Sequence, residues 1–337
     1  MIQPLIIAGA LGSPYTRKML ALLRYRRRSY RFVTVEAASR LPAPRVPLLP
    51  VIYFEDEGVL EASVDSTPVI RRLEAEVADR GVVPTDPALA FLDALIEDYA
   101  DEWLTKPMFH YRWSFAADIA RSAAVLPLWF GRPLTGEKHK ADSAAFAERQ
   151  IGRLSYVGSN AVTAPTIEGS FVRLVDLLER RLTEQPFILG PRPGAGDFAL
   201  FGQLSQLALF DPTPSAIVAE RAPRLLAWTM TMDDLSGLEP PAWSTPADLR
   251  RALRPLFFEM GRTYAPLLLA NAKTVEAGGD AVEIELDGAP WSQSPFPYQV
   301  KCLLALRTLY AGLDAVERRR VDDMLSGTGC EALFAPV

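Results

Sequence analysis

The sequence predicts a small α/β unit at the N-terminus, an all-helical region behind it, and a C-terminal extension that mixes helix with strand. Three observations carry this. Residues 1–83 read as strand, helix, strand, then two strands and a helix. From Ala88 to Leu209 apolar residues recur mostly at helical spacing. Beyond Pro240 a further helical pattern gives way to the alternating run Val282-Glu283-Ile284-Glu285-Leu286. With 337 residues, 49% of them hydrophobic, the chain has material for two or three packed units.

The first unit opens with an apolar strand over Ile6 to Gly9, a turn at Gly12-Ser13-Pro14, and a helix over Tyr15 to Arg27. Ser13 stands at the N-cap and Pro14 in the first turn, where its missing N–H costs nothing. Met19, Leu20, Leu22 and Leu23 form the apolar side, and Arg26-Arg27-Arg28 reads as a solvated last turn that complements the helix dipole. Tyr30 to Val35 is the second strand, expected parallel to the first because a helix connects them. Four prolines, Pro42, Pro44, Pro47 and Pro50, mark a loop. Pro50 to Phe54 is a strand, Glu55 to Gly58 a hairpin turn, and Val59-Leu60 its return. Asp65-Ser66 then caps a helix carrying Val69, Ile70 and Leu73. Strands and helices in this order make a thioredoxin-like half.

Pro84-Thr85-Asp86-Pro87 reads as a linker. One long helix is expected over Ala88 to Met108, with Leu92, Leu95, Ile96, Tyr99 and Trp103 on one stripe, followed by the aromatic cluster Phe109 to Trp113. Gly131-Arg132-Pro133 and Thr135-Gly136-Glu137 read as loop, with helices over Asp142 to Ser155, Ile167 to Arg181 and Gly194 to Leu209, the last as the buried central helix. In the extension, Pro255 and Pro266 should kink or split a helix over Pro246 to Ala272. Its stripe of Leu249, Leu253, Leu256, Phe257 and Met260 should pack on the helical region. The strand at 282–286 needs a partner edge, and Phe296 to Leu313 is expected as the terminal helix. Cys302 reads as core and Cys330 as exposed.

Net charge is −5, which argues against nucleic acid as a partner. No apolar run reaches the ~18 residues a membrane span requires. The N-terminus lacks the charged opening of a signal peptide, and two cysteines make no disulfide framework, so a cytoplasmic location is expected. Two histidines leave little basis for a histidine metal site, and none is expected.

Ser13-Pro14-Tyr15-Thr16-Arg17-Lys18 after the first strand, Leu49-Pro50-Val51-Ile52 at the third and Asp65-Ser66 at the next helix resemble the cytosolic glutathione S-transferase family. Phe187 to Phe198 and Ala222 to Trp228 extend the resemblance through the helical region, so it covers roughly residues 1–240. It implies a thioredoxin-like domain over 1–83, an all-helical domain over 84–240, and an added extension over 241–337. One departure stands out. The family's Ser or Thr cap before the central helix is Gly194 here, so the side-chain half of a capping box with Asp197 is missing.

The resemblance implies glutathione as co-substrate, a small hydrophobic electrophile, and a homodimer with neither nucleic acid nor membrane as partner. The carboxylate of the γ-glutamyl group suits the helix start at Ser66, and Asp65 could pair with its amine. Leu49-Pro50 falls where this fold places a cis proline, which would present the Val51 backbone to the cysteinyl part. Ser13 falls at the catalytic position. A free thiol titrates near ~8.5, and lowering that by ~2 units takes ~2.7 kcal/mol of thiolate stabilisation. One hydrogen bond to a charged group supplies ~1.5–3 kcal/mol, so hydroxyl plus helix dipole suffices. Tyr15, Trp103 and His110 are the candidates for the electrophile pocket. Transferase, isomerase and ether-cleaving chemistry are all open to such a site. The competing reading is a non-catalytic ligand carrier or protein-interaction protein on the same fold.

Overall fold

Strand β1 (Leu5–Gly9) lies inside a four-stranded sheet, between β2 (Tyr30–Thr34), which runs parallel to it, and β3 (Val51–Asp56), which runs antiparallel. β4 (Val59–Ser63) completes the order β2-β1-β3-β4. Helix α1 (Pro14–Tyr25) makes the parallel crossover, and α2 (Ser66–Glu76) follows β4. In this computed structural model residues 3–77, 79–131 and 135–335 are described, so the expected loop residues Arg132 and Pro133 lie outside them. Of the basic run that ends α1, Arg27 is exposed, but Arg26 is buried. It donates to the Leu73 and Val77 carbonyls and pairs with Glu74, tying α1 to the end of α2.

The expected long helix is two helices, α3 (Pro87–Glu102) and α4 (Thr105–Ser114). Pro107 explains the break. It has no N–H for the Trp103 carbonyl, and its ring crowds that carbonyl. The Lys106 N–H takes the bond instead, at 2.9 Å, in a tighter turn. Helix α5 (Ala116–Val125) runs into a 3₁₀ turn at Leu126–Phe130. Helix α6 (Gly136–Ile151) starts in residues expected to be loop, and α7 (Ala164–Arg181) leads to α8 (Ala195–Leu207), every residue of which is buried. Short helices α9 (Pro212–Arg221) and α10 (Pro223–Thr231) follow.

The extension contains α11 (Pro246–Arg262), α12 (Tyr264–Glu276), a hairpin of β5 (Val282–Leu286) and β6 (Ala289–Gln293), then α13 (Pro297–Ala311) and α14 (Ala315–Leu325). The break between α11 and α12 falls at Thr263, ahead of Pro266, while Pro255 stays inside α11. The strand at 282–286 finds its partner in β6, with Val282 opposite Gln293. Helix α14 lay beyond the expected terminal helix. Asp314 accepts from the Val316 and Glu317 N–H groups, and Glu317 accepts from the Asp314 N–H, a closed capping box. Cys302, expected in the core, is half-buried, while Cys330, expected exposed, is fully buried with its thiol against the Phe257 carbonyl.

Helix α3 is held from two sides. One side faces α8. Along the other, Phe91 meets Tyr310 and Phe334, Tyr99 meets Tyr264, and Trp103 meets Trp291, with ring centroids 5.1–5.7 Å apart. Asp86 and Arg320 close the near end at 2.6 Å. The α11 stripe of Leu249, Leu253, Leu256, Phe257 and Met260 is buried as well.

Candidate functional site

The sheet register gathers the sequence-predicted residues at one end. Ala8, near the end of β1, lies opposite Val51, the first residue of β3, and Ile52 lies opposite Ser63, the last of β4. The loop after β1 therefore brings Ser13 to the same edge where β4 delivers Asp65 and Ser66. The β3–β4 ladder starts at Ile52, so Val51 reaches past β4 as an open strand end. The Leu49–Pro50 bond is cis, immediately before Val51.

Ser13 is the N-cap of α1. Its Oγ accepts from the Thr16 N–H at 3.3 Å, and it is only half-buried. A hydroxyl has one proton and two lone pairs, so capping leaves the proton free to donate outward. The loop bearing Ser13 is clamped from the helical region. Arg112 donates to the Gly12 carbonyl at 2.9 Å, and Gln206 donates to the Leu11 carbonyl at 3.1 Å. Arg112 is itself fixed by Asp211, in a buried pair at 2.8 Å. Gly12 carries no side chain because Leu126 and Trp129, from the turn after α5, stand where a Cβ would go.

Asp65 caps α2, with Oδ1 accepting from the Thr67 N–H at 3.3 Å, and holds φ at 73° to do so. Ser66 opens that helix and is buried. Beneath it lies Lys18, also buried, whose Nζ donates to Ser66 Oγ at 3.0 Å, Glu97 Oε1 at 2.9 Å and Asp101 Oδ2 at 2.7 Å. Burial opposes the charge on Lys18, but Asp101 and Glu97 outweigh it and hold the ammonium's pKa above its usual value. Burial likewise opposes ionisation of Glu97, yet Lys18 and Arg71 bring its pKa down. For Asp101, burial wins over Lys18 and pushes it up to about 6. With its oxygen held from below by Lys18, Ser66 keeps its own O–H available to a ligand.

Tyr15 is half-buried at the first turn of α1 and donates to the Asp101 carbonyl at 2.9 Å. Trp103 and His110 take core positions rather than a pocket wall. Trp103 is 1% exposed, donates to Ser170 Oγ at 3.2 Å and packs on Trp291. His110 is 3% exposed, with one ring nitrogen 2.8 Å from Ser159 and the other 3.2 Å from Glu168, and burial holds its pKa down. Both face the packing made by α7 and the loop before it. Sequence reasoning missed Lys18, Glu97, Asp101 and Arg112. The one signal available was the acidic spacing Asp93, Glu97 and Asp101, four apart along the same side of α3 as its apolar residues. It also missed Tyr298, from the first turn of α13, whose hydroxyl donates to Asp65 Oδ2 at 2.6 Å.

Among the described residues, no group of His, Cys, Asp and Glu has the arrangement of a metal site, and no helix is long and apolar enough to cross a membrane. A family model of the glutathione S-transferase N-terminal domain matches residues 8–81, and one of the C-terminal domain matches residues 144–229. No curated protein matches the chain. Among solved structures, it is similar to a GST-like protein from Pseudomonas syringae, at 18% identity over 68% of this chain and 67% of that one, with a TM-score of 0.41. It is also similar to a theta class glutathione S-transferase from Xanthomonas axonopodis pv. citri with glutathione bound, at 21% identity over 68% of this chain and 91% of that one, TM-score 0.35. A maleylacetoacetate isomerase from Anaeromyxobacter dehalogenans is similar at 18% identity over 71% of this chain and 94% of that one, TM-score 0.35. The chain thus carries, in order, the N-terminal and C-terminal domains of glutathione S-transferase, with an extension of helices and a small sheet behind them.

Proposed function

We propose that this chain binds glutathione along one end of its sheet and activates the thiol as a thiolate for attack on a small hydrophobic electrophile. The γ-glutamyl carboxylate would take the N–H groups and hydroxyl at the start of α2, and the amine would pair with Asp65. The cysteinyl backbone would add to the open strand end at Val51, after Pro50, placing the sulfur at the Ser13 hydroxyl. The observation that carries the reading is the register: Ala8 opposite Val51 and Ile52 opposite Ser63 put Ser13, Val51, Asp65 and Ser66 at one edge. No metal takes part in the reading, and Tyr15 is the candidate of the three that stays beside Ser13 for the electrophile side.

The reading places the protein in the cytoplasm and divides it at residues 83 and 240. It includes the homodimer that the family implies, with a second subunit docking away from the face of α3 that the extension covers. A non-catalytic carrier or protein-interaction protein is the second reading, and the Tyr298 hydroxyl on Asp65 favours it, because the extension, the contact surface in that reading, reaches the site. Titration calorimetry on wild type and Asp65→Ala tests the assignment. Asp65→Ala should bind glutathione at least about ten-fold more weakly, the ~1.4 kcal/mol of one charged contact, with its circular dichroism unchanged. Equal affinity in the two proteins would remove Asp65 from the site.

A further inference from the structure

Tyr298 is far from the site in sequence and belongs to the extension, yet its hydroxyl ends on Asp65 at 2.6 Å. What matters is how firmly it is placed. The residue two before it, Phe296, is held through its backbone on both sides: its N–H donates to Asn271 Oδ1 at 2.7 Å and its carbonyl accepts from Asn271 Nδ2 at 2.9 Å. Asn271 has no exposed surface, so this clamp is sheltered from water. The residue after it, Gln299, is 4% exposed and donates to the Glu102 carbonyl at 3.4 Å. Tyr298 thus rises from a helix start pinned to α12 on one side and α3 on the other. Tyr298 itself is 37% exposed, with the Phe296 ring 6.1 Å from its own. The helix start fixes where the ring is mounted, and the hydroxyl on Asp65 holds the ring against that carboxylate.

We infer that Tyr298 is a specificity-determining residue that walls the γ-glutamyl end of the site, so that the site accepts a free amine there and rejects a substituted one. The inference rests on the glutathione reading above. A carboxylate has about four lone-pair positions. Asp65 uses one for Thr67 N–H and one for Tyr298, which leaves room for an ammonium and fixes the direction from which it arrives. An alkyl group on that amine would meet the Tyr298 ring.

The test is calorimetry with two probes, glutathione and glutathione N-benzylated on its γ-glutamyl amine, which keeps the positive charge and adds bulk. Wild type should prefer glutathione by at least about ten-fold, which is ~1.4 kcal/mol. Tyr298→Ala should bring the two probes within about three-fold of each other, while Tyr298→Phe, which keeps the ring, should retain the preference. Circular dichroism of Tyr298→Phe controls for folding. If glutathione binds and Tyr298→Ala still rejects the benzylated probe, or wild type accepts both alike, the wall is overturned and the glutathione reading stands. If glutathione binds neither wild type nor Tyr298→Ala, the glutathione reading itself falls and takes this inference with it.

Discussion

Lys18 joins the two halves of the site at a single atom. Its Nζ reaches Ser66 on α2 and Glu97 and Asp101 on α3, all within 3.0 Å. Removing one partner of a buried ionic cluster leaves the others uncompensated, at a cost of about 3–5 kcal/mol. Lys18→Met should therefore lower stability by that amount in urea titration and loosen Ser66 with it. A loss under about 1 kcal/mol would mean that Arg71, 3.3 Å from Glu97, carries the cluster instead. Nothing in the local sequence marks Lys18. It stands beside Arg17 in what reads as a basic helix surface, and Glu97 is 79 residues away. Ser13, Pro50 and Asp65 were legible because their roles are local ones: a cap, a strand start and a helix start each depend on neighbouring residues. Burial of Trp103 and His110 was not, because an apolar or aromatic stripe looks the same whether it lines a pocket or fills a core.

At the scale of elements, the start of α8 shows a cap supplied from elsewhere. Gly194 has no side chain to accept the first N–H groups, and the sequence implies a weakened helix. The structure corrects this. Asp93 on α3 accepts from the Ala195 and Gly196 N–H groups, both at 3.0 Å, while Asp197 accepts from Gly194 and Ile188, both at 2.9 Å. Burial pushes the Asp93 carboxyl well above the usual carboxylate range, the cost of placing the acceptor there. Gly194 is required because the Asp93 carboxylate stands where a Cβ would go; its φ of −96° would suit any residue. Restoring the family's residue with Gly194→Ser should therefore destabilise by about 1–3 kcal/mol through overpacking. Asp93→Ala should cost about 1–3 kcal/mol through unsatisfied N–H groups. The double variant should be more stable than the sum of the two losses, since the serine then has space to cap. Strict additivity in the melts would show that the two residues do not share the cap. The substitute acceptor was unreadable from sequence, being 102 residues from Ala195. The break between α3 and α4 was missed, although Pro107 marks it locally.

Across the whole molecule, the extension acts as a cover for α3 and as a contributor to the site. It buries the outer sides of Phe91, Tyr99 and Trp103, and it carries Tyr298 to Asp65. The apolar stripe of α11 made its packing legible, and the alternation at 282–286 made the strand legible. Its route back to the edge of the thioredoxin-like domain was not, because that depends on the order in which helices dock. A chain ending at Pro240 would expose three large aromatic side chains on one helix, an apolar patch of the kind that drives association. It should be recovered as aggregate, or fold with a clearly lower melting temperature. A soluble, well-folded dimer by light scattering, with glutathione affinity and selectivity unchanged, would make the extension an independent appendage.

The central claim is that Ser13 holds the glutathione sulfur as a thiolate, and the thiolate's ultraviolet absorbance reads this directly. With glutathione bound and saturating, its titration should have a midpoint at least about one pH unit lower in wild type than in Ser13→Ala. One hydrogen bond to a charged group is worth ~1.5–3 kcal/mol, and one pH unit is ~1.4 kcal/mol. Turnover should fall in the variant far more than affinity does. Identical midpoints in the two proteins would contradict the account and leave Ser13 as the cap of α1 alone.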